Sequence, residues 1–343
     1  MKNLEMIKKK TREDVQLEPR SIIETLHLDV YDLLFEWMDE DSIKTFTTLS
    51  KYLNKRIPNL WLKYIPITVT LIPNQSLKSI INDDWWYIIR KLTIHGNQPI
   101  REYPPNLTHI TFWEKFDQNI DNLPSSLTYL SFGIDFNQKV DGLLPESLTH
   151  LLLNGKFNQS IDNLPNNLTH LNFGFDFNQK VDGLLPESLT HLTLGYSFNQ
   201  SIDNLPKGLT YLAFDFESTF DQKVDNLPQN LTHLLLGSEF NQPVDNLPVN
   251  LIYLEFGANF NQEINLNYLN NLTYLEFSND FDQEVDGLLP PNLTHLTFGY
   301  DFDEPVDLRY LPRLTHLTFD TQEGRKFNQS VGNLPAGIIK LII

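Results

Sequence analysis

A phenylalanine recurs every 20 to 22 residues along most of this chain, at Phe116, Phe136, Phe157, Phe177, Phe198, Phe220, Phe240, Phe260, Phe281 and Phe302, and again after 25 residues at Phe327. One copy, Phe157 to Gly174, reads F-N-Q-S-I-D-N-L-P-N-N-L-T-H-L-N-F-G. A fixed period of this length excludes an ordinary globular core. Each copy is too short to bury its own apolar face, so neighbouring copies must stack into a solenoid. Within the copy, Leu171 and Phe173 alternate with His170 and Asn172, the period-2 pattern of a half-buried strand. The segment Phe177-Asn178-Gln179-Lys180-Val181 predicts Phe, Gln and Val facing inwards. The Asp-Asn-Leu-Pro or Asp-Gly-Leu-Leu-Pro that follows predicts a turn and an extended, non-helical return, because proline lacks an N–H and fixes φ. Strands of successive copies then form one parallel sheet. An inward Gln needs partners, and we expect it to bond backbone groups of adjacent turns. The Asn before it, replaced by Asp at Asp117, Asp221, Asp282 and Asp303, reads as a turn former.

This grammar resembles the FNIP repeat, a subfamily of leucine-rich repeats, over about 240 residues. The resemblance implies a leucine-rich-repeat-like solenoid with one parallel sheet of short strands and irregular return segments, within an α+β fold class once an N-terminal helical module is added. Two degenerate copies precede the regular ones: Lys91–Ile94 with Asn97-Gln98, and Thr68–Leu71 with Asn74-Gln75. The chain ends on Lys340-Leu341-Ile342-Ile343, which reads as a bare strand edge open to self-association.

Ahead of the repeats the period becomes helical. Val30, Leu33, Leu34, Trp37 and Met38 lie on one stripe, followed by Ile43 and Phe46 on a second. We expect a segment without fixed structure over 1–20, a three-helix module over 21–64, a cap of degenerate repeats over 65–103 and regular repeats over 104–343. The module, opening Leu26-His27-Leu28-Asp29-Val30, resembles an F-box, with His27 and Asp29 where that motif carries Pro and Glu. The resemblance implies docking of a Skp-type adaptor and a cullin ligase through Leu26, Val30, Leu33, Leu34, Trp37, Met38, Ile43 and Phe46. It also implies a target protein held by the repeats. F-box and FNIP segments pair in proteins of social amoebae and of giant viruses of amoebae.

Charge narrows the partners. The chain carries 26 basic and 44 acidic side chains, a net −18, and all of the acidic excess lies beyond residue 100. Such a field repels phosphate, so nucleic acid is not expected along the repeats. There is no cysteine, which removes thiolate catalysis and cysteine-held zinc. No apolar run has transmembrane length, and the first ten residues lack a signal-peptide core. Nine N-x-S/T sequons lie within this grammar, where glycans would block stacking. We therefore expect the cytoplasm, of the host if the protein is viral, with the nucleus as the alternative, and no membrane.

Seven histidines, His109, His150, His170, His191, His233, His295 and His316, share one repeat position with Tyr129, Tyr211, Tyr253 and Tyr274. A ladder with ~4.8 Å steps gives a straight row, whereas a metal needs imidazoles converging to ~2.1 Å of one point. We expect stacked rings, no metal, no cofactor and, with no nucleophile–base–orienter set, no catalysis. Mutual repulsion should depress the histidine pKa values. Target binding is expected on this strand face and on the loops before each Phe, through Trp113, His150, His170, Phe175, His191, Tyr196, Tyr211, His233, Tyr253 and Tyr300. The loop Asp320–Lys326, with Arg325 and Lys326, is a further candidate contact.

Overall fold

Alternation within each copy generates the observed strands. The computed structural model describes residues 67–70, 76–81, 86–87, 89–320, 327, 329 and 334–342. All of these lie in one structural unit, Trp61–Ile343. The F-box-like module over 21–64, with its eight candidate adaptor contacts, lies outside the described residues, as do 1–20 and 321–326.

Fourteen short strands form one parallel sheet in strict sequence order. They are β1 (Ile67–Thr70), β2 (Lys91–His95), β3 (His109–Phe112), β4 (Tyr129–Phe132), β5 (His150–Leu153), β6 (His170–Phe173) and β7 (His191–Leu194). The series continues with β8 (Tyr211–Phe214), β9 (His233–Leu235), β10 (Tyr253–Glu255), β11 (Tyr274–Glu276), β12 (His295–Phe298), β13 (His316–Phe319) and β14 (Lys340–Ile342). Register is the same at every step: His150 pairs with His170, Leu151 with Leu171 and Leu153 with Phe173. The degenerate copies supply β1 and β2. Between them sits a short helix, α1 (Leu77–Ile80), started by a capping box on Ser76.

Leu171 and Phe173 are buried while His170 and Asn172 are half-buried, and the alternation recurs from β2 to β13 except that Ser131 in β4 and Ala213 in β8 are buried as well. Behind the sheet the repeat phenylalanines form a second column. Phe177 stacks at 3.7 Å on Phe173 of its own turn and lies 6.0 Å from Phe157 and 6.2 Å from Phe198. Offset stacks of this kind add to the burial of each ring. The return is a run of turns rather than helix. The Leu168 N–H closes on the Pro165 carbonyl at 3.2 Å, and Leu189 on Pro186 at 3.0 Å. Where the return is one residue longer, as in Asp-Gly-Leu-Leu-Pro, Gly183 takes φ +71°, a conformation that favours glycine.

Polar side chains tie the turns together differently from the expected Gln-to-backbone pattern. The Asn178 Oδ1 accepts the Asn199 backbone N–H at 3.0 Å and the Gln200 amide at 2.9 Å. The Asn199 Oδ1 in turn accepts from Asp221 N–H at 3.1 Å and Gln222 at 2.8 Å. The column opens at Asn97, which receives Asp117 and Gln118. It ends at Asp303, which receives Gln329. Gln is thus half-buried with a side-chain partner, and Asn is a rung rather than a mere turn former. Only one acceptor oxygen is required, which explains why Asp serves at Asp117 and Asp221.

A second ladder runs at the strand entrance. The Thr149 carbonyl accepts the Thr169 and His170 N–H groups at 2.9 and 3.0 Å and the Thr169 hydroxyl at 3.1 Å. At the far end, nothing among the described residues covers β14, and Ile339 is 79% exposed.

Asn178→Ala should destabilise the protein by about 1–3 kcal/mol, because it strands two donors of the next turn. Asn178→Asp keeps the acceptor and should fall near wild type in denaturant melts. Equal damage from the two substitutions would refute the acceptor role.

Candidate functional site: the exposed strand face and its loop edge

Strand alternation leaves one side chain per turn at the strand entrance on the exposed face. His150, His170, His191, Tyr211, His233 and Tyr253 form an unbroken column across β5–β10. His150, His170 and His191 stack at 4.2 Å with planes 11° apart. Tyr253 and Tyr274 stack at 4.3 Å, and the mixed His–Tyr steps are wider, 5.5 Å for His191–Tyr211.

Each histidine is held by the threonine before it. The Thr169 Oγ1 lies 2.9 Å from His170 Nδ1, and the same contact recurs at His109, His150, His191, His233, His295 and His316. The threonine hydroxyl has one proton, and it is donated to the preceding turn's carbonyl. The imidazole Nδ1–H must therefore donate to the hydroxyl, which leaves the Nε2 lone pair on the other side of the ring. Face-to-face rings direct these lone pairs in parallel, so they do not converge on one ion. Among the described residues no group of three or more metal-ligating side chains is gathered.

His170 and His191 sit below the ordinary imidazole value, first because burial penalises the charged ring and second because neighbouring imidazoles repel it. His109 and His295 are lowered in the same way, with Lys91 beside the first and His316 and Lys340 around the second. The expected direction is observed, but burial rather than repulsion is its larger cause. Further along the face, the Tyr253 hydroxyl donates to Glu255 at 2.8 Å and that of Tyr274 to Glu276 at 2.7 Å. Burial, with the Glu276 contact second, pushes the Tyr274 phenol up to about 12. Burial, with Glu255 and Asp320 adding, raises the Glu276 carboxyl.

A separate strip lies past the other end of the strands, beyond a strand length of roughly 10 Å at ~3.3 Å per residue. Trp113 is 49% exposed and stacks on His95 at 4.9 Å. Phe175 is 53% exposed and stacks on half-buried Tyr196 at 4.4 Å with planes 1° apart. Tyr300 is half-buried on a later turn. The candidate residues therefore fall into two strips, the ring column and the loop edge, and not into one cluster. Phe216, 68% exposed, completes three successive aromatic loops with Phe175 and Tyr196. In the sequence it lies two residues past its strand, as Phe175 and Tyr196 do, but four rather than two residues before the next core phenylalanine, Phe220.

A family profile for the FNIP repeat matches residues 97–135, 136–176, 177–216, 244–280, 267–301 and 281–322. Among solved structures, CroV588, described as a novel circular LRR protein, is similar at 42% identity with a TM-score of 0.65, over 74% of this chain and 43% of that one. This chain thus matches less than half the length of CroV588. An internalin, InlF of Listeria monocytogenes, shares the fold at 18% identity with a TM-score of 0.55, over 85% of this chain and 92% of that one. A comparison with curated proteins found no match. No enzyme family is indicated, and leucine-rich-repeat solenoids are typically non-catalytic binding scaffolds.

Two outcomes follow. A histidine held below its unfolded value near 6.5 binds fewer protons in the folded state. Stability should therefore be complete above about pH 6.5 and fall as pH drops below it. His170→Tyr with His191→Tyr, the residue other turns use, should flatten that fall in pH-dependent melts. An unchanged slope would contradict the assignment. Separately, Phe175→Ser should change stability by less than about 1 kcal/mol, whereas Phe177→Ala should lose about 3–5 kcal/mol through a core cavity. Equal losses would place the Phe175 ring in the core.

Proposed function

The chain belongs to the FNIP repeat family, and from that premise we propose that it is a non-catalytic protein receptor. In this reading the repeats hold a target protein. The N-terminal segment over 21–64 recruits a Skp-type adaptor and with it a cullin ubiquitin ligase. One observation carries the target-binding part: scaffold positions repeat while their neighbours differ from turn to turn. On the sheet face those neighbours are the half-buried Thr111, Leu152, Asn172, Thr193, Leu235, Glu255, Glu276, Thr297 and Thr318, with the small Ser131 and Ala213 buried at the same position. On the loop edge they include Trp113, Phe175, Tyr196, Phe216 and Tyr300. Large rings among polar residues are what protein interfaces use as anchors. The chain does no chemistry in this role. It raises the effective concentration of target near enzymes supplied by other subunits.

Adaptor recruitment is supported by the apolar stripe Leu26, Val30, Leu33, Leu34, Trp37 and Met38 with Ile43 and Phe46, and by its resemblance to an F-box. The acidic repeats disfavour nucleic acid as the target, and the cytoplasm is the proposed location, that of the host if the protein is viral. A second reading, a scaffold that self-assembles without a ligase, is favoured by one feature. The β14 edge exposes Ile339, Leu341 and Ile342. Concentration-dependent mass in light scattering would support it.

Replacement of Leu34, Trp37 and Met38 by Ala should abolish co-purification with a Skp-type adaptor and leave the circular dichroism of the repeats intact. Adaptor binding that survives the triple substitution would remove the ligase role and leave the scaffold reading.

A further inference from the structure

Three successive loops, after β6, β7 and β8, each place one large ring on the outside: Phe175, Tyr196 and Phe216. The rings are not on loose tips. The Ser197 N–H donates to the Phe175 carbonyl at 2.9 Å, Thr219 to Tyr196 at 2.8 Å, and Ser238 to Phe216 at 2.9 Å. The backbone ladder sets the pitch of Phe175 and Tyr196, whose rings stack at 4.4 Å. It continues through Ser218, which receives Glu239 at 3.1 Å, while Phe216 stands on a loop two residues longer and is anchored separately by Ser238. Burying such rings in a partner needs little ordering, because their positions are already set.

The three ring loops themselves carry one sign of charge. Asp176 follows Phe175, and Asp215 and Glu217 flank Phe216, while the loops 174–176, 195–197 and 215–218 contain no Lys or Arg. One turn earlier, Gly155 occupies the place of Phe175 and Lys156 that of Asp176. There the Lys156 Nζ rests 2.7 Å from Asp135 Oδ1. The Asp135 bond and charge, with Asp176 and Asp117 adding, raise its pKa. The chain therefore already seats an ammonium on this edge at the turn where no ring is present.

We infer that the Phe175–Tyr196–Phe216 edge is where the repeats hold a partner segment in which cationic and large apolar side chains alternate. This rests on the receptor reading above and names the chemistry of its target. Guanidinium or ammonium groups of that segment lie over the exposed ring faces and pair with Asp176, Asp215 and Glu217. Its apolar side chains cover the ring edges. The ring strip supplies short-range selectivity, and the acidic field of the repeats supplies attraction from a distance. An anionic membrane surface, the other partner for an aromatic strip, is repelled by the same carboxylates.

The test uses the full chain and fluorescence anisotropy with a labelled peptide of alternating Arg and Leu. A peptide of alternating Glu and Leu and vesicles of anionic phospholipid serve as comparisons. The Arg–Leu peptide should bind and the other two should not. Phe175→Ser, Tyr196→Ser and Phe216→Ser together should weaken binding by roughly tenfold or more. Asp176→Asn, Asp215→Asn and Glu217→Gln together should weaken it and reduce its salt dependence. If the triple ring variant misfolds by circular dichroism, Phe216→Ser alone carries the test, and it should still lower affinity measurably. Equal binding of the Arg–Leu peptide by wild type and the folded ring variant would overturn the inference, showing only general attraction to an acidic protein. Preference for the Glu–Leu peptide or the vesicles would overturn it too. The adaptor experiment separates this inference from the receptor reading. Loss of the peptide result with adaptor binding intact removes this site alone. Loss of adaptor binding with the peptide result intact removes the ligase role alone.

Discussion

The carboxamide oxygen of one asparagine per turn sets the spacing on which the rest of this protein depends. It receives two hydrogen bonds from the next turn, one from the backbone of the equivalent Asn or Asp and one from the following Gln. A backbone N–H in the crowded bend beyond each phenylalanine has no strand partner there, and an unmet buried donor costs about 1–3 kcal/mol. The ladder meets that need at every turn from Asn97 to Asp303 and ties each turn to the next away from the sheet. Ring spacing widens from the sheet face, where imidazoles stack at 4.2 Å, to the phenylalanine column behind, where it is about 6 Å.

The exposed surface inherits this spacing. On the sheet face it brings imidazoles to 4.2 Å, close enough to stack and to disfavour protonation. The threonine before each ring orients it, because a hydroxyl that has donated its proton to the previous turn can only accept from Nδ1. On the loop edge the same pitch aligns Phe175 with Tyr196. Close approach of loops is part of the design: a Cβ at Gly195 would lie 2.0 Å from the Gly174 carbonyl oxygen. Variation is therefore confined to side chains that leave the backbone undisturbed, as the stacking of repeats requires.

Features with a short period were the easiest to read in the sequence. Leu171 and Phe173 alternate with His170 and Asn172 within four residues, so strand, core face and exposed face followed directly. The parallel stacking followed from the recurrence of Phe. Contacts between residues about 20 positions apart were harder. Asn beside an Asp-Asn-Leu-Pro turn looks like a turn former, and nothing within one copy reveals that its oxygen faces the next. The clue was the set of substitutions: Asp117, Asp221, Asp282 and Asp303 keep the acceptor and lose the amide donor. The Thr–His bond was hidden in the same way, since adjacent residues on a strand ordinarily point to opposite faces. Of the candidate site, the ring column was legible as a column. Its separation from the loop edge required the backbone path.

Amide hydrogen exchange on the intact chain addresses the asparagine ladder most directly. The N–H groups of Asn137, Asn158, Asn178 and Asn199 lie outside the strands, yet each donates to the turn before it. If the ladder sets the stacking, these amides exchange as slowly as strand amides such as those of Leu171 and Leu192 and open only with the whole unit. Exchange as fast as in the exposed loops would contradict the account and leave the sheet alone as the source of the repeat's pitch.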